Sequence, residues 1–276
     1  MAIITVSHDA FGSGHAVAEQ IGEILGYRCI SREVLIKASE RYGIAEAKFF
    51  EILGEKPRPW WAQWLEDRRV YRAALQAALC EFAQDGNIVY HGRAGQEFFP
   101  GIRHVLNVFV DTPTESRIRQ VMTRKGFGEE AAKKYLEELD RIRGRRIREL
   151  FKIDCRDPSR YDIVVNTAKT TVETAAQLIA EVSQRAEYRP TAQSLQAMKD
   201  LTVTAAVEAV LTGSALHIVN LEVETHFGKV YVGGIILAEE VRELATDAIS
   251  KIPGVAQVIS HFVVNAPEHY LYGDKR

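Results

Sequence analysis

Residues 2–19, AIITVSHDAFGSGHAVAE, decide the fold of this chain. The apolar run at residues 2–6 has the composition of a strand buried on both faces of a parallel sheet. A glycine-rich turn, Gly12-Ser13-Gly14, follows it, and a helical pattern begins at His15. Strand, glycine-rich turn and helix in this order can hold a phosphate, because backbone N–H groups at the start of a helix attract anions.

The turn departs from the phosphate-loop pattern Gly-x-x-x-x-Gly-Lys-Ser/Thr at most of its defining positions. With Gly14 taken as the last glycine, Asp9 occupies the first glycine position and His15 the lysine position. Ala16 and Val17 occupy the two positions at which a hydroxyl would hold Mg²⁺. Taken alone, the turn is therefore equally compatible with a plain connection between strand and helix. His15 would supply positive charge only when it is protonated.

Short apolar runs and helical patterns alternate along residues 1–185. Strands are predicted at residues 2–6, 27–30, 87–90, 105–110 and 162–165, and helices at 15–25, 32–41, 70–84, 114–124, 129–151 and 171–185. This alternation predicts an α/β fold, a doubly wound five-stranded parallel sheet that binds ligands at the carboxyl ends of its strands.

A different pattern follows a polar stretch at residues 186–198, which is interpreted as a linker. Residues 199–266 predict a small α+β domain of order αββαβ, with a first helix near 203–211 and a hairpin turn at Phe227-Gly228-Lys229. A second helix, at 238–251, precedes the last strand at 256–265. Residues 267–276 are left as a C-terminal tail.

Composition places the chain among ordinary globular proteins. It has 276 residues and a net charge of -2, and no apolar stretch reaches the length of a membrane span. Nothing at the N-terminus resembles a signal peptide, so we expect a cytoplasmic protein. Cys29, Cys80 and Cys155 form no CxxC pair, which favours small core residues over a disulfide framework or a zinc site.

Positive charge is concentrated in residues 140–149, DRIRGRRIRE. Arg141, Arg145 and Arg148 lie at i, i+4 and i+7, on one helical face, whereas Arg143 and Arg146 lie on neighbouring faces. The row would close over a polyphosphate, or it would be a solvated face paired with acidic neighbours such as Glu137, Glu138 and Glu149. A local cluster of this kind favours a phosphate-bearing ligand over a nucleic acid.

A further arginine, Arg93, follows the strand in NIVYHGRAG, residues 87–95. Its position at the carboxyl end of the sheet lets a guanidinium grip a phosphate through two hydrogen bonds. The alternative is a structural ion pair. His8, His15 and His91 are expected to converge at the same end of the sheet, but core or rim histidines are commoner than metal ligands, so no metal site is predicted.

Six motifs in order give the first part of the chain a resemblance to a known family. They are the strand with GSG and its helix, LGYRCISREVL, GNIVYHGRAG, HVLNVFVDTPTESRIRQVM, EAAKKYLEELDRIRGRR and DPSRYDIVVNT. Together they resemble the cytidylate-kinase-like family, a branch of the P-loop nucleoside monophosphate kinases, over residues 1–183. That branch often lacks the lysine as well, although it has Gly-Arg-Glu where this chain has His15-Ala16-Val17.

The resemblance implies ATP and Mg²⁺ as cofactors and a set of site residues. It places the donor phosphates on Gly12, Ser13, Gly14 and His15, and the acceptor region at Ser31 and Arg32. It places the acceptor monophosphate on Arg93, and Arg117 continues the basic wall of the site. It makes Arg141 and Arg145 lid residues, catalytic together with His15. Ala94 stands where true cytidylate kinases have Asp, which bears on turnover more than on binding.

The C-terminal part resembles the BON domain in its hairpin, its helix AEEVRELATDAISKI and the segment PGVAQVISHFVV. This resemblance implies a regulatory or assembly module, and its acidic residues argue against attraction to anionic lipid. Trp60, Trp61 and Trp64 favour an interface, so a homo-oligomer is expected through that segment or the BON domain. Nucleotides are the expected partners, with no nucleic acid and no membrane span.

The sequence thus predicts a nucleoside monophosphate kinase that transfers the ATP γ-phosphate to an acceptor such as cytidylate. A nucleotide-binding sensor that has lost catalysis would have the same pocket. A purely structural assembly protein would bind no nucleotide at all.

Overall fold

The computed structural model describes residues 2–43 and 66–265. The tryptophan segment at 60–64 and the tail lie outside the described residues. The first part folds around a parallel sheet whose strands are β1 (Ile3–His8), β2 (Arg28–Ile30), β3 (Ile88–Gly92), β4 (Val105–Asp111) and β5 (Ile163–Asn166). Their order is β2-β3-β1-β4-β5, and every pairing is parallel. The structure confirms the doubly wound fold.

Helices cover both faces of this sheet. They are α1 (Gly14–Leu25), α2 (Glu33–Tyr42), α3 (Glu66–Ala83), α4 (Thr114–Lys125), α5 (Glu129–Phe151) and α6 (Val172–Ser183). Alternate residues of β1 face opposite sides: Ile4 and Val6 pack with α1 and α6, whereas Ile3 packs with α2 and α3. A strand covered on both sides is largely apolar, which explains the run at residues 2–6, and its buried polar residue Thr5 donates a hydrogen bond to Asn107 Oδ1.

The second part is a three-stranded sheet covered on one side by two helices. Its elements are α7 (Ala192–Gly213), β6 (Val219–His226), β7 (Lys229–Ile236), α8 (Glu239–Ser250) and β8 (Gln257–Val264), in sheet order β6-β7-β8. The hairpin turn contains Gly228 at φ 76°, where a Cβ would lie 2.8 Å from the Gly254 carbonyl oxygen. The predicted order αββαβ is confirmed.

Part of the predicted linker is helical. Residues 186–198 contain a 3-10 turn at Ala186–Tyr188 and the first turns of α7, which Thr191 and Ser194 cap reciprocally. Sequence periodicity misses this start because α7 is buried on two sides and therefore has no single apolar stripe. Its residues divide between the two cores: Met198, Ala205 and Ala209 pack with α2 and α3, and Val203, Val207 and Leu211 pack with the small sheet.

Two further findings concern membrane-spanning helices and the cysteines. Within the described residues no helix is both long and apolar enough to cross a membrane. The three cysteines are free, with Cys80 buried and the other two partly buried, and burial raises the pKa of Cys29 to about 11.

Candidate functional site

The glycine-rich turn after β1 is held by the ends of two neighbouring strands. Ser13 donates its backbone N–H to Thr112 Oγ1 at 3.0 Å, and its hydroxyl donates to Thr167 Oγ1 at 3.0 Å. Gly14 is required, since a Cβ there would lie 2.2 Å from the Cβ of His8, and one on Gly12 would lie 2.8 Å from Thr112 Oγ1. The turn is therefore built tightly onto the carboxyl edge of the sheet.

The start of α1 keeps the features that attract an anion. Val17 is the first residue whose N–H bonds back along the helix, to the Ser13 carbonyl at 3.0 Å. The N–H groups of Gly14, His15 and Ala16 lie in the first turn, where a helix offers no carbonyl acceptor. These three donors and the helix dipole remain available to a phosphate, whereas the N–H of Ser13 is held by Thr112.

Three histidines meet beside this turn, as expected. His15 Nδ1 lies 3.2 Å from His91 Nε2, and the rings of His8 and His91 are 6.1 Å apart between centroids. Burial, followed by the charges of His15 and His8, lowers the pKa of His91 to about 4. Burial also lowers the pKa of His8, and Arg143 and Arg93 add to that effect. Among the described residues, no group of three or more His, Cys, Asp or Glu side chains is arranged to hold a metal ion.

A cavity of about 270 Å³ opens where β1, β3 and α5 meet. Five arginines line it: Arg93, Arg141, Arg143, Arg148 and Arg156. Phe109 and Tyr161 form an apolar wall, with ring centroids 5.2 Å apart and planes inclined by 33°. Because β1 lies where the strand order reverses, this is the crevice in which an open α/β sheet binds its ligand. The lining suits an anion that also carries a flat apolar group.

Three acidic residues, Asp9, Asp140 and Asp154, also line this cavity, and Asp9 is distinguished by a buried carboxylate oxygen. Its Oδ1 accepts a hydrogen bond from Arg156 Nη2 at 2.7 Å, and the side chain is 9% exposed. Its other oxygen, Oδ2, is buried and has no hydrogen-bond partner in the described part of the chain. Burial raises the pKa of Asp9, and the charges of Arg117 and Arg156 oppose the rise. Such an oxygen can accept a hydrogen bond from a ligand or bind a cation.

Arg117 has a different place from the one that the resemblance implies. It is 1% exposed, and its Nε donates to the Ala10 carbonyl at 2.7 Å. Its two Nη atoms donate to the Asp140 carboxylate at 2.9 and 2.6 Å. The guanidinium thus ties the segment before the glycine turn to α5, and it does not line the cavity. In this structure Arg117 is a brace and not part of an open basic wall.

The two predicted lid arginines are paired with acids on their own helix. Arg141 lines the cavity and donates to both carboxylate oxygens of Glu138, at 2.8 and 2.7 Å. Arg145 donates to Glu149 at 3.0 Å and is not among the residues that line the cavity. Both arginines are exposed, so the solvated-face alternative describes their present contacts.

The predicted acceptor region lies at the end of β2. The N–H of Ser31 donates to Glu33 Oε2 at 2.8 Å, and Arg32 immediately precedes α2 on the exposed surface. Neither residue lines the cavity. Of the residues proposed to bind nucleotide, the structure brings Arg93 and Arg141 into the cavity and places Gly12, Ser13, Gly14 and His15 at the adjoining turn.

Sequence reasoning missed several residues of this cavity. The spacing of Arg143 places it on a helical face next to that of Arg141, but residues from more than one face of α5 line the cavity. Arg156 reaches Asp9 across 147 residues of sequence, a pairing that no local pattern signals. The segment DPSRYD, which immediately follows Arg156, is the one available hint, since it belongs to the motifs that carry the resemblance.

Comparison with known proteins agrees with this geometry. The chain matches the model of the cytidylate kinase-like family over residues 3–169 and that of the BON domain over residues 199–266. A cytidylate kinase of Ignicoccus hospitalis is 26% identical over 180 residues, which are 65% of this chain and 97% of that protein. A cytidylate kinase of Methanocaldococcus jannaschii is 33% identical over 95 residues, which are 34% of this chain and about half, 53%, of that protein.

A solved structure gives the same answer for the fold. An uncharacterized protein from Eubacterium ventriosum aligns over 67% of this chain and 100% of its own, with 19% identity and a TM-score of 0.50. That identity level shows a shared fold and no more. The family match spans the turn, Arg93 and the arginines of α5, so the residues of the cavity fall within it. By its sequence and its fold, this chain belongs to the cytidylate kinase-like family and carries a BON domain.

Proposed function

We propose that this protein is a nucleoside monophosphate kinase that transfers the γ-phosphate of ATP to a nucleotide such as cytidylate. The observation that carries the proposal is the arginine-lined cavity, which adjoins the glycine turn at the carboxyl edge of the sheet. Phosphoryl transfer depends on positioning and on neutralising charge, and this edge of the sheet supplies donors and cations for both. The curated relatives that are named cytidylate kinases support the choice of acceptor.

The two halves of the reaction have separate places in this proposal. The donor phosphates lie on the first turn of α1, at Gly14 and His15, and the acceptor lies in the cavity. There, Arg93 binds the acceptor phosphate, and the wall formed by Phe109 and Tyr161 contacts the base. Arg141 then leaves Glu138 to contact the phosphate that moves, which is the role of a lid arginine.

Mg²⁺ has a partial set of ligands here. Ala16 and Val17 offer no hydroxyl, but the buried, unpartnered Oδ2 of Asp9 is an oxygen of the kind that Mg²⁺ prefers. Mg²⁺ is commonly held by one or two carboxylates together with substrate phosphates and water. Asp9 therefore fits as a single protein ligand, and the bound ion would supply charge neutralisation between donor and acceptor.

The test is an ADP-release assay with ATP, Mg²⁺ and each nucleoside monophosphate, run beside calorimetry with the same ligands. Arg93→Ala should weaken monophosphate binding by about 1.5–3 kcal/mol, the value of a charged hydrogen bond. Arg185→Ala is the matched control, because Arg185 is exposed and paired with Glu181 far from the cavity. Equal affinity of the two variants would refute the assignment of Arg93.

A nucleotide-binding sensor without turnover is the second candidate. It is favoured by the missing lysine and hydroxyl and by the pairing of Arg141 and Arg145 with acids. Calorimetric binding with no ADP release would support it and refute the kinase proposal. No binding of any nucleotide would refute both. In either case we propose that the BON domain has a regulatory or assembly role and that the chain forms a homo-oligomer.

A further inference from the structure

We propose that His15 and His91 form one phosphate-binding pair that takes up a proton when the donor phosphates bind to the first turn of α1. This assigns His91 a role in binding, and it rests on the proposed nucleotide site. In effect, a hydrogen-bonded pair of imidazoles replaces the lysine of a phosphate loop, and ligand binding adds a proton, and therefore positive charge, to the pair.

The geometry of the pair fixes where its protons lie. His15 Nε2 is 3.3 Å from Glu19 Oε1, and an ionised carboxylate only accepts, so His15 Nε2 carries a proton. His15 Nδ1 and His91 Nε2 are 3.2 Å apart, which leaves room for one proton between them. In the neutral pair, His91 Nε2 donates that proton to His15 Nδ1.

The same contacts accommodate one more proton without moving either ring. The added proton binds His91 Nδ1, and the shared proton passes from His91 Nε2 to His15 Nδ1. His15 is then an imidazolium that forms an ion pair with Glu19 and donates to His91, while His91 is neutral with its proton on Nδ1. One proton enters and one positive charge appears at position 15, beside the free N–H groups of the first helical turn.

The surroundings of His91 keep the added charge off its own ring. His91 is faced by His8 of β1 and Glu33 of α2, and its own pKa is low because burial and the neighbouring histidines disfavour a second charge. Arg93 and Arg143 add positive charge near His8. A di- or triphosphate on the helix start supplies the opposing negative charge, and an adjacent anion favours the charged form of an imidazole.

The experiment is calorimetry of the full chain with the β,γ-imido analogue of ATP, from pH 6 to 8.5. At each pH, buffers of different ionisation enthalpy report the protons taken up. We expect uptake approaching about one proton, with affinity falling by up to about tenfold for each rise of one pH unit. His15→Lys, at an exposed position, should bind with only the pH dependence of the ligand itself, and the difference between the two proteins isolates the histidine pair.

Because His91 accepts the His15 Nδ1 proton in the charged pair, His91→Leu should reduce the proton uptake and bind less tightly at pH 6. His261→Gln removes an exposed histidine of β8 and is the control that should behave like the unchanged protein. Binding without proton uptake, or uptake that His91→Leu leaves unchanged, would overturn this inference and leave the proposed function standing. Absence of binding at every pH, in the His15→Lys variant as well, would overturn the proposed function together with it.

Discussion

Replacement of Arg117 by Met separates a structural brace from a ligand-binding arginine. The substitution keeps an unbranched side chain but removes the donor to the Ala10 carbonyl and both donors to Asp140. Residues 9–14 would lose their tie to α5, and the Asp140 carboxylate would lose the cation that holds it. We expect a less stable protein whose glycine turn is less well ordered.

The magnitude follows from the burial of the two partners. Removing one member of a buried ion pair costs about 3–5 kcal/mol, because the other charge is left without compensation. Arg117 is 1% exposed, but the side chain of Asp140 is 33% exposed, so water hydrates the carboxylate that remains. Arg156, at 3.9 Å from Asp140, also offsets part of the charge. The lower limit, about 3 kcal/mol, is therefore expected, and for domains of this size it lowers the melting temperature by roughly 6–12 °C.

Urea unfolding followed by circular dichroism measures this loss, and Asp140→Asn with the double variant completes a thermodynamic cycle. The cycle should give a coupling energy of about 1.5–3 kcal/mol between the two side chains. Arg117→Lys keeps the charge but not the forked hydrogen bonds, so it should recover only part of the stability. An unchanged unfolding midpoint together with at least tenfold weaker nucleotide binding would refute the brace and restore Arg117 to the basic wall.

Three other outcomes are expected. Gly14→Ala should abolish nucleotide binding or folding, because its Cβ would clash with the His8 side chain. Gly213→Ala has open space around it and should stabilise its helix by up to about 1 kcal/mol. Equal urea midpoints of the two variants would contradict this difference. The pKa of His91 is about 4 in the folded protein and 6.5 in the unfolded chain, so the unfolded chain binds the proton first. The free energy of unfolding therefore falls as the pH drops from about 6.5 to 4, and the decline should be shallower in His91→Gln when unfolding is measured against pH. Met198→Ala should lower the free energy of unfolding by about 2–4 kcal/mol, because Met198 packs with α2 and α3. The loss should appear in the unfolding transition of the parallel-sheet part, which nucleotide binding stabilises. A loss confined to a separate unfolding transition of the C-terminal sheet would contradict that packing.

The sequence predicts most of the parallel-sheet fold because the apolar segments, the glycine turn and the helical patterns all indicate the same architecture. Each strand of the parallel sheet falls on or within a short, largely apolar segment, and the turn at Gly12-Ser13-Gly14 falls between β1 and α1 as expected. The start of α7 is not predicted, since a helix buried against two cores lacks the single stripe that periodicity detects. Its N-terminus at Ala192 is recognisable only from the capping pair Thr191 and Ser194.

The site is predicted less completely, and the reason is geometric. Spacing along α5 identifies which arginines share a face, but it does not tell whether a face meets a cavity or an acidic neighbour. Arg145 follows the expected face and pairs with Glu149, whereas Arg143 leaves that face and lines the cavity. Arg117 shows the same limit, since its contact with Ala10 spans 107 residues. Whether these residues bind nucleotide stays a prediction.

The helix α7 changes how the two parts of the chain are expected to communicate. The BON match begins at residue 199, inside α7, so the family boundary divides a single helix. Met198 and Ala205 are buried with α2 and α3, while Val207, two residues after Ala205 and on the opposite side of the helix, packs with the small sheet. Glu208 is partly buried on the same helix, where Arg69 and Arg72 of α3 oppose the rise in its pKa that burial causes. A hinge at this boundary would expose apolar surface on both sides, so we expect the packing of α7 on α2 and α3 to carry any influence of the BON domain on the nucleotide site.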